Sequence, residues 1–137
     1  MEQEDQYTGL LERVKAVFVD SLVLVFSMVV FTQIFSIFEQ VPDIARILAF
    51  TLIFVLYDPL CVSFFAGTLG HRVIGIQVKD VQNETKNIGF LLALIRFTVK
   101  VLLGWISLLT ITGNVKRRAI HDMVAGSVVV YTSSLKE

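Results

Sequence analysis

One cysteine, two prolines and two histidines are all that this chain of 137 residues carries of the residues that build disulfides, kinks and most transition-metal sites. Cys61, alone in an apolar run, makes no intrachain disulfide and no cysteine-based metal site, and is expected simply to pack. His71 and His121 stand fifty positions apart and lack metal-ligand spacing. No serine or cysteine lies in a recognisable nucleophile motif, so His121-Asp122 is not read as catalytic and no enzymatic activity is expected. Charge is scarce, at 18% of residues, where soluble domains carry about 25%. It is also balanced to a net value of zero, so nothing suggests a nucleic-acid partner. Gly67, Gly70, Gly75 and Gly126 lack the strand–loop–helix context of a phosphate cradle and are expected to serve turns and close packing. The start, Met1-Glu2-Gln3-Glu4-Asp5, is acidic where a secretory leader is basic. No small-residue cleavage site follows it, so the first apolar stretch is expected to stay in the mature protein.

What the chain does have is apolar length. Hydrophobic residues make up 55% of it, and the mean hydropathy is +0.73. Three segments are long enough to enter a bilayer, about 14–38, 44–66 and 88–112. The first, at ~1.5 Å per residue, spans ~37 Å, enough for a tilted crossing. Between the first two lies a short polar link, Glu39 to Asp43, in which Pro42 suits the turn and Asp43 a helix cap. Pro59 is expected to bend the second segment. The polar stretch 67–87 begins turn-like at Thr68–Arg72. It continues as a β-branched strand over Arg72–Asp80. A C-terminal segment, 116–137, ends in a second strand-like run, Ser127–Thr132. The expected fold is an all-α membrane protein, a single domain over 1–137, with a small cytoplasmic strand pair.

The basic residues argue for topology. Arg13 and Lys15 flank the first segment, whereas the link after it has only Arg46 nearby. Arg72, Lys79 and Lys86 mark the central loop. The N-terminus and the central loop are therefore expected on the cytoplasmic side of the cell membrane. A plain third crossing would put Lys116, Arg117 and Arg118 outside, against the rule. A fold-back near Gly104-Trp105 would keep them inside and let the two strand-like runs pair. The fold-back is the preferred reading, and a simple crossing stays open. The basic triplet itself reads as a membrane anchor, with lipid headgroup binding as the weaker alternative.

Charged residues inside these segments carry the functional question. An ionised carboxylate in mid-bilayer costs ~2.5–3.5 kcal/mol on insertion scales and is tolerated only beside a partner, a cavity or a proton path. With the boundary near Arg13, Gly67 and Gly89, Asp20 lies ~10 Å deep, Asp58 ~13 Å, Arg96 ~10 Å and Lys100 ~16 Å. Arg96 and Lys100, spaced i,i+4, share a helix face. The expectation is a buried cluster of Asp20, Asp58, Arg96 and Lys100, in which removing one partner costs ~3–5 kcal/mol.

Three separated motifs resemble the RDD family, integral membrane proteins named for one arginine and two aspartates. Arg13 and Asp20 stand at the first helix. Gly67-Thr68-Leu69-Gly70-His71-Arg72-Val73-Ile74-Gly75 is similar to the family's glycine-rich linker, with His71 where lysine is common. His121-Asp122-Met123-Val124-Ala125-Gly126-Ser127 matches the His-Asp-x-x-Ala-Gly-Thr-like signature, with serine for threonine. The resemblance implies either monovalent-cation/proton antiport or an assembly role.

Two readings of the charges follow. In one, Asp20 and Asp58 are proton or cation sites, Asp58 aided by the carbonyl that Pro59 frees, and the only bound group is a monovalent cation. In the other, Asp20 pairs with Arg96 and Asp58 is a structural acid. Arg13 is expected to anchor its helix or pair with Asp122, and Asp122 to cap a helix or meet nearby arginines. Three segments are few for a transport path, so the expected partners are the lipid bilayer and further copies of this chain.

Overall fold

The computed structural model describes residues 6–136. The acidic start, on which the expectation about a leader rests, lies outside them. Two long helices come first, α1 over Leu10–Ile37 and α2 over Asp43–Phe65. Asp43 sits in the first turn of α2 rather than before it, and its side chain makes no capping bond. The third apolar segment is shorter. Helix α4 covers Phe90–Leu103 and ends at Gly104, whose φ of 51° suits glycine. The chain goes on through 3-10 turns at Gly104–Leu108 and Ile111–Gly113. Taken with the first of these turns, the segment is long and apolar enough to cross a membrane, as are α1 and α2.

The polar stretch departs from its sequence reading in one respect. Residues Leu69–Ile74 form a short helix, α3, where a turn and the start of a strand were expected. Thr68 caps it, and His71 at the third position bonds back to the Thr68 amide. This Thr-x-x-His arrangement is a capping box with imidazole in place of the usual carboxylate. Gly75, at φ 83°, closes the helix and releases the chain into β1, Ile76–Asp80.

After the second 3-10 turn come a short helix α5, Ile120–Val124, and β2, Ser127–Tyr131. β1 and β2 pair antiparallel, with Val78 opposite Val129. Because β1 precedes α4 and β2 follows it, the chain returns to the end of the molecule where segment three began. The fold-back is therefore seen, with its break at Gly104. On the other side of β2, Tyr7 bridges Val130, and Thr8 N–H donates to the Val129 carbonyl.

Burial is confined to this end. The apolar core joins Ala16, Val62, Ile76, Val78, Ile88, Ala93 and Val129. In α1 the buried residues are Arg13, Ala16 and Asp20, one stripe at spacings of three and four. In α2 they are Asp58, Pro59 and Val62. In α4 they are Ala93 and Arg96. Beyond Asp20 no residue of α1 is buried, and α1 meets α2 only sparsely, with one edge-on ring contact between Phe35 and Phe50.

Candidate functional site

Two polar networks occupy the buried end, and they divide the expected cluster between them. The first is a chain of alternating charge. Lys100 Nζ lies 3.0 Å from Asp58 Oδ2. Arg96 Nη1 approaches Asp58 Oδ1 to 3.7 Å, too far for a hydrogen bond, and both atoms are buried without another partner. The Arg96 Nε–H donates to Asp122 Oδ1 at 3.0 Å. Asp122 Oδ2 accepts from Arg13 Nη1 and from the Ala119 amide. Arg13 also donates to the Arg117 carbonyl at 2.8 Å. One line of five side chains thus ties α2, α4, α5 and α1 together.

Asp122 is the best-supported member. It is fully buried. Burial alone would raise its pKa, but Arg13 and Arg96 outweigh that and hold its carboxyl well below the usual carboxylate range. Its bond to Ala119 N–H also satisfies the first turn of α5, so it caps a helix and meets two arginines at once. His121 is neutral beside it. Burial, followed by the positive Arg96, Lys100 and Arg13, overrides the pull of Asp122 and pushes the imidazole down to about 3. Its Nδ1 is 2.5 Å from Ser107 Oγ, and its amide donates to the same oxygen. Ser107 is itself fully buried, and it pins the first 3-10 turn to α5.

Asp20 belongs to the second network and does not join the cluster expected from depth. None of the ion pairs among the described residues includes it. The reason is azimuth rather than level. Asp20 lies on the α1 stripe that receives α3, where Gly70 lets two backbones meet. A Cβ at Gly70 would strike the Ala16 carbonyl and come within 2.7 Å of Asp20 Cγ. At that contact the Gly70 N–H donates to Asp20 Oδ1 at 2.8 Å. Tyr57 Oη–H donates to the same oxygen at 2.8 Å, and Thr68 Oγ1–H to Oδ2 at 2.6 Å. All three donors are neutral.

Neither Tyr57 nor Thr68 was expected as a site residue from the sequence, where Thr68 stood only in a turn and in the glycine-rich linker. Thr68 carried a usable signal, a threonine three residues before a side chain able to bond back. Tyr57, one residue before Asp58, carried none. Thr68 also reaches a histidine, since its Oγ1 is 2.5 Å from His71 Nδ1. Burial pushes His71 down to about 3, with Arg96 and Lys100 adding to the effect and Asp58 opposing it. The ring is therefore neutral, and its Nδ1 already accepts from the Thr68 amide. A single hydroxyl proton on Thr68 thus has two neighbouring acceptors, Asp20 and His71.

Three long apolar helices, with charge buried at one end and a two-stranded sheet closing that end, define an integral membrane protein. The chain matches the RDD family over residues 7–126 and belongs to it. Searches of curated proteins and of solved structures returned no match. Of the three namesake positions, the structure joins Arg13 to Asp122 and sets Asp20 apart.

Proposed function

We propose that the protein exchanges a monovalent cation for protons across the membrane, and that Asp20 is the carboxylate that alternates between them. The observation that supports this is the company Asp20 keeps: buried within a helix long enough to span, it is held by three neutral donors and no cation. Such a carboxylate takes up a proton or a cation without breaking an ion pair. Asp58 and Asp122 cannot, because each is already neutralised by two basic side chains. Asp20, Tyr57 and Thr68 supply the oxygen ligands that a hard monovalent cation takes. Three segments give a short path, which makes a homo-oligomer with the path at or near its interface part of this reading. The basic residues gathered at the sheet end support a cytoplasmic side for that end, and with it for the N-terminus.

Purified protein in liposomes with an imposed sodium or potassium gradient tests this through the pH of the lumen. The expected result is cation-driven proton movement in the wild type and its loss in Asp20→Asn. No movement in the wild type, or equal movement in Asp20→Asn, refutes it.

A second reading has its own support. The chain Arg13–Asp122–Arg96–Asp58–Lys100 joins four elements, as a purely structural clamp for an assembly protein would. Under that reading Asp20 only holds α3 against α1, and its replacement affects stability without any flux to lose.

A further inference from the structure

The return segment after Gly104 does not lie flat on α1; it leaves two cavities between them. The inner one, about 300 Å³, is walled mainly by Val14 and Val17 of α1 and by Val101, Trp105 and Leu108, with Lys100 and His121 also in its wall. The outer one, about 310 Å³, is walled by Gly9 and Leu10 on the α1 side and by Asn114, Thr112 and Arg117 on the other. Leu10, Val14 and Val17, at spacings of four and three, lie on one face of α1. The cavities therefore follow one another along that face, apolar toward the bilayer interior and polar toward the sheet end.

The basic triplet 116–118 is split by this geometry. Lys116 turns to Glu84 and the Tyr7 ring. Arg118 donates to the carbonyls of Asp122, Met123 and Ser127. Arg117, held between them at a φ of 46°, lines the outer cavity and spends one donor on the Tyr7 carbonyl. The rest of its guanidinium has no partner among the described residues. Glu12 stands at the same rim. From the position a Gly9 Cβ would take, Glu12 Oε2 is 3.1 Å and Arg117 Nη1 4.0 Å away. The two groups make no ion pair yet lie within about 7 Å of each other.

We propose that this groove binds one phospholipid with an ethanolamine headgroup: its phosphate on Arg117, its ammonium toward Glu12, and an acyl chain in the inner cavity. A half-open apolar hole at hydrocarbon depth stays dry, and lipid chains are the solvent that meets it. Its volume is at the lower end of the ~300–1,000 Å³ of ligand sites. Arg117 presents the planar donor set that suits phosphate. A headgroup carrying phosphate and ammonium two carbons apart answers both charges at the rim, whereas an anionic lipid meets Glu12 with repulsion. The proposal does not depend on ion exchange.

The test is native mass spectrometry of the detergent-solubilised protein titrated with phosphatidylethanolamine or phosphatidylglycerol, paired with thermal shifts on the same samples. The wild type is expected to retain one phosphatidylethanolamine in preference to phosphatidylglycerol. Arg117→Asn, an exchange that the left-handed backbone tolerates, is expected to weaken retention about tenfold through loss of the charge-assisted bonds. Val17→Trp, on an exposed face, is expected to fill the inner cavity and weaken retention while leaving the fold intact. Equal retention in wild type and both variants marks unspecific boundary lipid and overturns the proposal. So does a preference for phosphatidylglycerol. A melting temperature that rises with protein concentration but not with lipid marks a second copy in the groove, and it too overturns the proposal.

Discussion

Gly70 is the residue on which the Asp20 network turns, because it brings the α3 backbone within bonding distance of a carboxylate on α1. In Gly70→Ala the new methyl meets the Ala16 carbonyl and the Asp20 carboxyl, neither of which yields easily. Overpacking of this kind costs ~1–3 kcal/mol, and a melting curve in detergent should show it, while Gly89→Ala, with nothing near its Cβ position, should leave the curve unchanged. The two histidines give a second expectation. Both are pushed down to about 3, so between pH 6.5 and that value the unfolded chain binds protons that the folded one refuses. Stability therefore falls as pH falls across this window, by up to ~1.4 kcal/mol per pH unit for each histidine. Asp122, held low by its arginines, pushes in the same direction once the unfolded carboxylate begins to protonate. The melting temperature of the wild type should drop between pH 7 and 4.5, and His71→Gln with His121→Gln should flatten the upper part of that slope. A wild-type curve flat over the range would contradict the buried, neutral imidazoles.

Among the elements, α4 shows most plainly what the sequence carries and what it withholds. Its charged face and its stop were legible, since Arg96 and Lys100 share a face by spacing alone and Gly104 is the residue that tolerates the break, whereas the segment was read to about 112 and the helix ends at Leu103. The strand-like runs on either side were legible as well, and their pairing followed from keeping the basic residues together. Helix α3 was not, because six residues that include a glycine and two β-branched side chains have little intrinsic preference for helix. They become helical through the Thr68 cap and the contact with Ala16. Depth along a helix was also an incomplete guide to partners. It put Asp20 level with Arg96 but gave no direction around α1, and direction assigns Asp20 to α3 and Asp122 to the arginines. The Asp58–Lys100 tie between α2 and α4 is open to a swap. Asp58→Ala should destabilise by ~3–5 kcal/mol, because Lys100 and Arg96 lose their counter-charge. Asp58→Lys combined with Lys100→Asp should recover part of that loss. If the double variant is as unstable as Asp58→Lys alone, the pair does not act as a local tie.

For the whole molecule, the return of β2 to β1 makes a statement about sides that surface labelling can check. In a Cys61→Ala background, single cysteines at Gln82 and Ser133, both exposed, should react from one side of the membrane and a cysteine at Glu39 from the other. Reaction at Ser133 from the side of Glu39 would mean that segment three crosses outright. The distribution of burial has a further meaning. From Ser21 onward no residue of α1 is fully buried within the chain, although Val23, Leu24, Phe31 and Phe35 are partly covered, and Phe35 meets Phe50 of α2 edge-on. The far half of each long helix is thus only partly covered by the polypeptide. The surrounding hydrocarbon is a constituent of this fold in the way that a cofactor is of others. Exchanging it for a micelle changes the composition of the protein's interior, and the angle between α1 and α2 is the first thing such an exchange will alter.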